Sequence, residues 1–145
     1  MGEHTTRRVV LVAACVLVDG QDRVLITRRP EGKHLAGFWE FPGGKVEAEE
    51  TPEHALIREL KEELGVAVEP HGLSPLTFVS YPYPEFHLLM PVYVCRRWLG
   101  DMAANEGQAI CWVKPEALSG YAMPPADESL KRSLLGLLRQ QRDES

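Results

Sequence analysis

Residues 51–65, TPEHALIRELKEELG, encode both ends of a helix. Thr51 offers a hydroxyl to cap the N-terminus, and Pro52 suits the first helical position, where a missing N–H costs nothing. Gly65 supplies a left-handed stop. At about 100° per residue, Leu56, Ile57, Leu60 and Leu64 fall on one arc, a face that must be buried. Glu59, Glu62 and Glu63 fall on a second arc beside it, and His54, Arg58 and Lys61 on a third. A solvated helix would pair opposite charges four residues apart. Here Glu59 and Glu63 are a like-charged i,i+4 pair, which costs roughly 0.2–0.5 kcal/mol in water. Lying beside the core face, these acids are partly desolvated, which raises that cost. A divalent cation removes the conflict, and acid oxygens one turn apart suit Mg2+ or Mn2+, ions that also take phosphate oxygens.

The rest of the chain reads as strands around this helix. Residues 9–18, VVLVAACVLV, form a buried strand by β-branched content, and the Asp19-Gly20 turn leads to a second strand at 24–27. A loop precedes a short extended stretch at 38–41 and Pro42-Gly43-Gly44. Further strands are expected at 76–80, 87–96 and 109–113, the first two separated by the proline-rich YPYPEF. Pro125 opens a last helix in which Leu130, Leu134, Leu137 and Leu138 share a face. Strands and helices in mixed order imply an α/β domain with a mixed sheet. Residues 1–8 are expected as a frayed tail, 9–140 as a single domain and 141–145 as a short C-terminal tail.

Arg7-Arg8 followed by the apolar run imitates a signal peptide, and VAAC imitates a lipoprotein cleavage box. Only three apolar residues precede that box, short of the roughly 7–15 an export signal needs. The run is also too short to span a bilayer, so no membrane association is expected. Cys15, Cys95 and Cys111 each sit in an apolar stretch, and none forms a C-x-x-C pair. They read as reduced core residues of a cytoplasmic protein. The net charge is −5, and no basic cluster is longer than a pair such as Arg96-Arg97. A protein that grips a nucleic-acid polymer usually carries a basic stripe; an acidic chain can still bind a small phosphate ligand if a divalent cation carries the positive charge.

Gly44, five residues, Glu50, seven residues and then RELKEELGV resemble the Nudix box, G-x5-E-x7-R-E-U-x-E-E-x-G-U with U apolar, at all nine specified positions. GFWEFPGGKVE is similar to the lead-in of MutT-type and CTP-pyrophosphohydrolase-type members. NEGQ, residues 105–108, is similar to a MutT element whose acid completes the metal site, here Glu106. MPPAD, residues 123–127, resembles the base-recognition element. The resemblance implies an α/β/α sandwich around a mixed sheet. It also implies hydrolysis of a nucleoside diphosphate linked to another moiety, with Mg2+ or Mn2+.

On that resemblance, Glu59, Glu62, Glu63 and Glu106, with the backbone carbonyl of Gly43, would hold the metal. Glu59 or Glu106 would serve as general base. Glu50 and Arg58 would pair to orient Glu59, while Gly44 and Gly65 would have structural roles. Gly43-Gly44 lets backbone approach the metal without a Cβ. Lys45 and Arg29 would contact phosphates. Asp127, Phe41 and Tyr83 would form the base pocket, and His34 and His87 are weaker ligand candidates. Two positions depart from the MutT pattern: Asp127 stands where MutT has Asn, and Phe86 where it has Arg. Asp is what the CTP-pyrophosphohydrolase type shows at the first of these, although Asp127 could equally cap the last helix.

The expected function is therefore a (d)NTP pyrophosphohydrolase releasing NMP and pyrophosphate, acting on 8-oxo-dGTP or a related oxidised nucleotide in pool sanitisation. A CTP- or dCTP-directed enzyme and a non-catalytic nucleotide-sensing domain are the alternatives. The partner is a small nucleotide, with no polymer and no membrane, and the chain is expected to be a monomer or weak homodimer.

Overall fold

A computed structural model describes residues 7–32 and 36–144. Most of the expected 1–8 tail and His34 lie outside that range.

The chain forms β1 (Val9–Leu17), β2 (Val24–Arg28), β3 (Trp39–Glu40), β4 (Gly43–Lys45), α1 (Pro52–Leu64), β5 (Ser74–Pro82), β6 (His87–Cys95), β7 (Ala109–Val113) and α2 (Pro125–Glu144). Short 3-10 turns occupy Pro70–Gly72 and Pro115–Gly120. The strands make two sheets rather than one. The larger has the order β4-β1-β6-β5 and the smaller β3-β2-β7. The larger is mixed, because β1 and β6 run parallel while β4 and β5 join it antiparallel.

Strand β1 shows why its sequence is apolar at nearly every position. Ala14, Val16 and Val18 point into a core shared with Leu130 and Leu134 of α2. The alternating Ala13, Cys15 and Leu17 point into a second core with Leu56, Leu60 and Leu64 of α1. A strand covered by a helix on each face needs apolar residues on both faces, and the result is an α/β/α sandwich. Cys15 and Cys95 are buried, Cys111 is half-buried, and all three are free thiols.

Both ends of α1 form as their residues dictate. The Thr51 hydroxyl accepts from the His54 N–H at 3.1 Å. Gly65 takes φ 74° and returns its N–H to the Lys61 carbonyl. Helix α2 runs through Glu144, so the tail expected from residue 141 is helical up to that point. Gly43–Lys45, for which no strand was expected, is an edge strand in register with Val12–Ala14. Among the described residues no helix is long and apolar enough to cross a membrane.

Candidate active site

Strand β4 and helix α1 meet where the acids are. A Cβ on Gly44 would overlap the Glu59 Oε2 atom, so this glycine makes room for the carboxylate. At Gly43 a Cβ would strike the Ala13 carbonyl, so this glycine makes room for strand pairing. The Gly43 N–H also donates to the Glu63 carboxylate.

Arg58 organises one side of the cluster. Its Nε and Nη2 grip both oxygens of Glu50 at 2.7 and 2.9 Å, and its Nη1 donates to Glu59 Oε1 at 2.9 Å. The remaining Nη2 capacity reaches the Lys45 carbonyl at 3.3 Å. This guanidinium holds the Glu50 carboxyl down to about 2. A planar fork that spans two carboxylates and a carbonyl is an arginine task that lysine cannot reproduce.

The loop after β6 closes the other side. Helix α1 ends with unpaired carbonyls. The Leu64 carbonyl accepts from the Ala103 N–H, and the Glu63 carbonyl accepts from the Asn105 N–H and from Gln108 Nε2, all at 3.0 Å. Gln108 Oε1 in turn accepts from the Glu106 N–H at 2.9 Å. Capping the helix thus brings Glu106 beside its acid face. Gly65 contributes again, because a Cβ there would crowd the Asn105 side chain.

These elements line a cleft of about 490 Å³. Its lining includes Glu59, Glu63 and Glu106 with Gly43 and Gly44, and also Arg29, Glu40, Phe41 and Asp127. Arg29 is tied to Glu40 at 3.0 Å. Asp127 is only 7% exposed. Burial, and then the nearby Glu40, push its carboxyl up to about 8, against the Phe41 N–H and Arg29, which favour ionisation. Burial likewise raises Glu63 to about 8, reinforced by Glu59, Glu106 and Glu40. Of the influences that dominate Glu63, only the Gly43 N–H favours its charged form. Glu59 is also raised, first by burial, although Arg58 opposes the shift.

Not every expected residue joins the cleft. Glu62 is half-exposed, 3.6 Å from Arg58, and its carboxylate adds to the upward shift of Glu59. The Lys45 side chain is exposed and does not line the cleft. Tyr83 does not line it either: its hydroxyl accepts from the Ala126 N–H at 3.2 Å, and its ring stacks on Phe86. Asp127, in the first turn of α2, faces the cleft, while Tyr83 performs the capping task once open to Asp127. His87 bonds across the sheet to Ser80 at 2.5 Å. Sequence reasoning missed Glu40, Thr27 and Gln108 as cleft residues. The local signals were the place of Glu40 in GFWEFPGGKVE and that of Gln108 in NEGQ.

The donor chemistry fits a divalent cation: partly buried carboxyls are gathered against one another with little positive charge to offset them. Among the described residues, no three His, Cys, Asp or Glu side chains already converge as a finished metal site. Arg58 holds Glu59 through Oε1, which leaves Oε2 beside Gly44 in the cleft, while Glu62 lies toward Arg58.

An α/β/α frame gathers helix carboxylates against a glycine pair, an arrangement suited to a divalent cation and the phosphate oxygens such an ion takes. Residues 13–132 match the NUDIX domain family, and the chain belongs to that family. It is 36% identical over 117 residues to the 8-oxo-dGTP diphosphatase of Escherichia coli K12, covering 81% of this chain and 89% of that one. It is 35% identical over 141 residues to the CTP pyrophosphohydrolase of the same organism, covering 90% and 94%. Among solved structures, the E. coli ORF135 protein superposes with a TM-score of 0.79 at 29% identity over 94% of this chain and 95% of that one. The MutT Nudix hydrolase of Burkholderia pseudomallei gives 0.75 at 27% identity over 86% and 97%. The chain is thus an enzyme of the Nudix hydrolase family, whose members generally use divalent metal ions.

Proposed function

We propose that this chain hydrolyses nucleoside triphosphates to NMP and pyrophosphate with Mg2+ or Mn2+, and that an oxidised purine deoxynucleotide such as 8-oxo-dGTP is its principal substrate. The observation that carries this reading is the meeting of Glu59, Glu63 and Glu106 across Gly43-Gly44, opposite Asp127 in one cleft. Similarity to the 8-oxo-dGTP diphosphatases supports the choice of substrate. The role is then removal of damaged nucleotides from the cytoplasmic pool. The chain is proposed to act as a monomer or weak homodimer.

In this account Glu59, Glu62, Glu63 and Glu106, with the Gly43 carbonyl, hold the cation. When bound, the ion polarises phosphoryl oxygens and makes water a better nucleophile. The protein's own groups do the rest. Arg58, anchored on Glu50, fixes the direction of the Glu59 carboxylate. Glu59 and Glu106 are the groups positioned to accept the proton of an attacking water. Arg29, held by Glu40, offers positive charge to the polyphosphate. Lys45 approaches the phosphates only at the outer edge of the site.

Asp127 keeps a second reading in play, activity toward CTP or dCTP. A protonated carboxyl offers one donor and one acceptor. That pair matches the O6 and N1–H edge of a guanine and equally the N3 and N4–H edge of a cytosine. The relative that hydrolyses CTP favours the same reading. A hydrolysis panel of 8-oxo-dGTP, dGTP, dCTP, CTP and ADP-ribose with Mg2+, with products identified, tests both. NMP and pyrophosphate from 8-oxo-dGTP at the highest kcat/KM is the expected result. Preference for CTP selects the second reading, and no turnover of any substrate contradicts both.

A further inference from the structure

Arg96-Arg97, one of three Arg-Arg pairs in the sequence, has no part in the cleft described above. In the fold Arg96 directly follows β6 and meets three cations from distant parts of the chain: Lys114 after β7, and Arg139 and Arg142 from the last turns of α2. They surround a recess of about 240 Å³ floored by Val18, Pro115, Leu135 and Leu138. Two carboxylates, Asp22 and Glu116, share its rim with these four cations. Positive charge is therefore in excess here, on a chain whose net charge is −5.

The cations are held in place. Arg96 donates to the Gln141 side-chain oxygen at 3.0 Å, Lys114 Nζ to the Gln21 carbonyl at 2.6 Å, and Arg142 to Asp22. Arg96 is partly desolvated, and Arg142 repels it. Asp22 sits at φ 59° in the turn between β1 and β2. Arg142, Arg96 and Lys114 all favour its ionised form. One carboxylate of the protein thus already occupies the focus of three cations.

We propose that this recess is a second anion site that takes a small phosphomonoester, the phosphate engaging Arg96, Lys114 and Arg139 and the ester group resting on the Leu135–Leu138 floor. Four cations against two carboxylates leave room for a dianion, and close cations joined by a dianion exchange repulsion for charge-assisted hydrogen bonds. The apolar floor distinguishes this site from one for bare phosphate. Asp22 acts as a built-in competitor, which gives the proposal an unusual sign: removing an acid strengthens binding, and removing cations weakens it.

The test is residue-resolved NMR of the full chain, titrated with inorganic phosphate and with a 5′-nucleoside monophosphate in the presence of chelator. The monophosphate is expected to shift the amides of Val18, Arg96, Lys114 and Arg139 saturably, and to bind more tightly than phosphate. Lys114→Gln with Arg139→Gln should weaken that binding by about tenfold or more, as loss of charged hydrogen bonds implies, with hydrolytic activity unchanged. Asp22→Asn, which tolerates the positive φ, should tighten it. Shifts confined to the Gly43–Gly44 cleft would overturn the proposal. So would equal affinity for phosphate and monophosphate, or affinities unmoved by these substitutions.

Discussion

Gly43 and Gly44 stand side by side in β4, and their substitutions should fail in different ways. At Gly44 the obstacle is the far end of the flexible Glu59 side chain. Gly44→Ala is therefore expected to fold with a near-normal Tm and to lose kcat by orders of magnitude, because Glu59 is displaced. At Gly43 the obstacle is the Ala13 backbone, and φ is 151°. Gly43→Ala should destabilise the fold by on the order of 1–3 kcal/mol, the scale of local backbone strain. Denaturant melts alongside kinetics separate the two; equal losses of stability would refute the distinction. Asp127 makes a third test at this scale. Its folded pKa of about 8 lies above the ordinary 3.8, so the folded state holds the proton more tightly than the unfolded one. Stability from this group is fully present below about pH 4 and is lost as pH rises to about 8, with a limiting slope of about 1.4 kcal/mol per pH unit. Asp127→Asn should flatten that decline; a variant with an unchanged pH profile would show that the carboxyl is not neutral in the fold. Spacing alone made Glu59 and Glu63 legible in the sequence, since both lie on one helix. Tyr83 was not legible, because its partner Ala126 is 43 residues away.

At the scale of elements, α1 was readable from end to end because its caps and its apolar arc are local. Strand β4 was not, since a glycine pair has low intrinsic strand preference and only the register with Val12–Ala14 makes it a strand. The loop carrying Glu106 was expected to bring an acid, but its hold on the α1 C-terminus depends on contacts such as Gln108 to Glu63, 45 residues apart. Helix α2 gives a direct check. Tyr83→Phe removes the oxygen that accepts from Ala126 and should cost roughly 0.5–2 kcal/mol in denaturant unfolding, the usual value of a helix cap. An unchanged midpoint would mean that water replaces the hydroxyl without loss. Arg58→Lys tests the other end of the site. Losing the fork on Glu50 and Glu59 should lower kcat at least about tenfold, in line with one or more charged hydrogen bonds, while Lys still fits the space. A wild-type kcat would show that Glu59 needs no orientation.

For the whole molecule, the α/β/α sandwich was anticipated from the Nudix resemblance, and the division of β1 between two cores is how it is built. Its split into two sheets was not anticipated, because strand order is set by pairings between distant segments. The same architecture explains why the acids gather where they do: α1, β4, the Glu106 loop and the first turn of α2 with Asp127 all line one cleft. In the function proposed above, this gathering holds a divalent cation. Glu63, at about 8, is largely protonated at neutral pH and must lose its proton when it becomes a ligand. Isothermal titration of Mn2+ into the full chain at pH 7, in two buffers of different ionisation enthalpy, counts that proton directly. The account predicts saturable binding with release of roughly one proton per ion, and weaker binding with less release in Glu63→Gln. Absence of saturable binding, or identical affinity and proton release in Glu63→Gln, would contradict it.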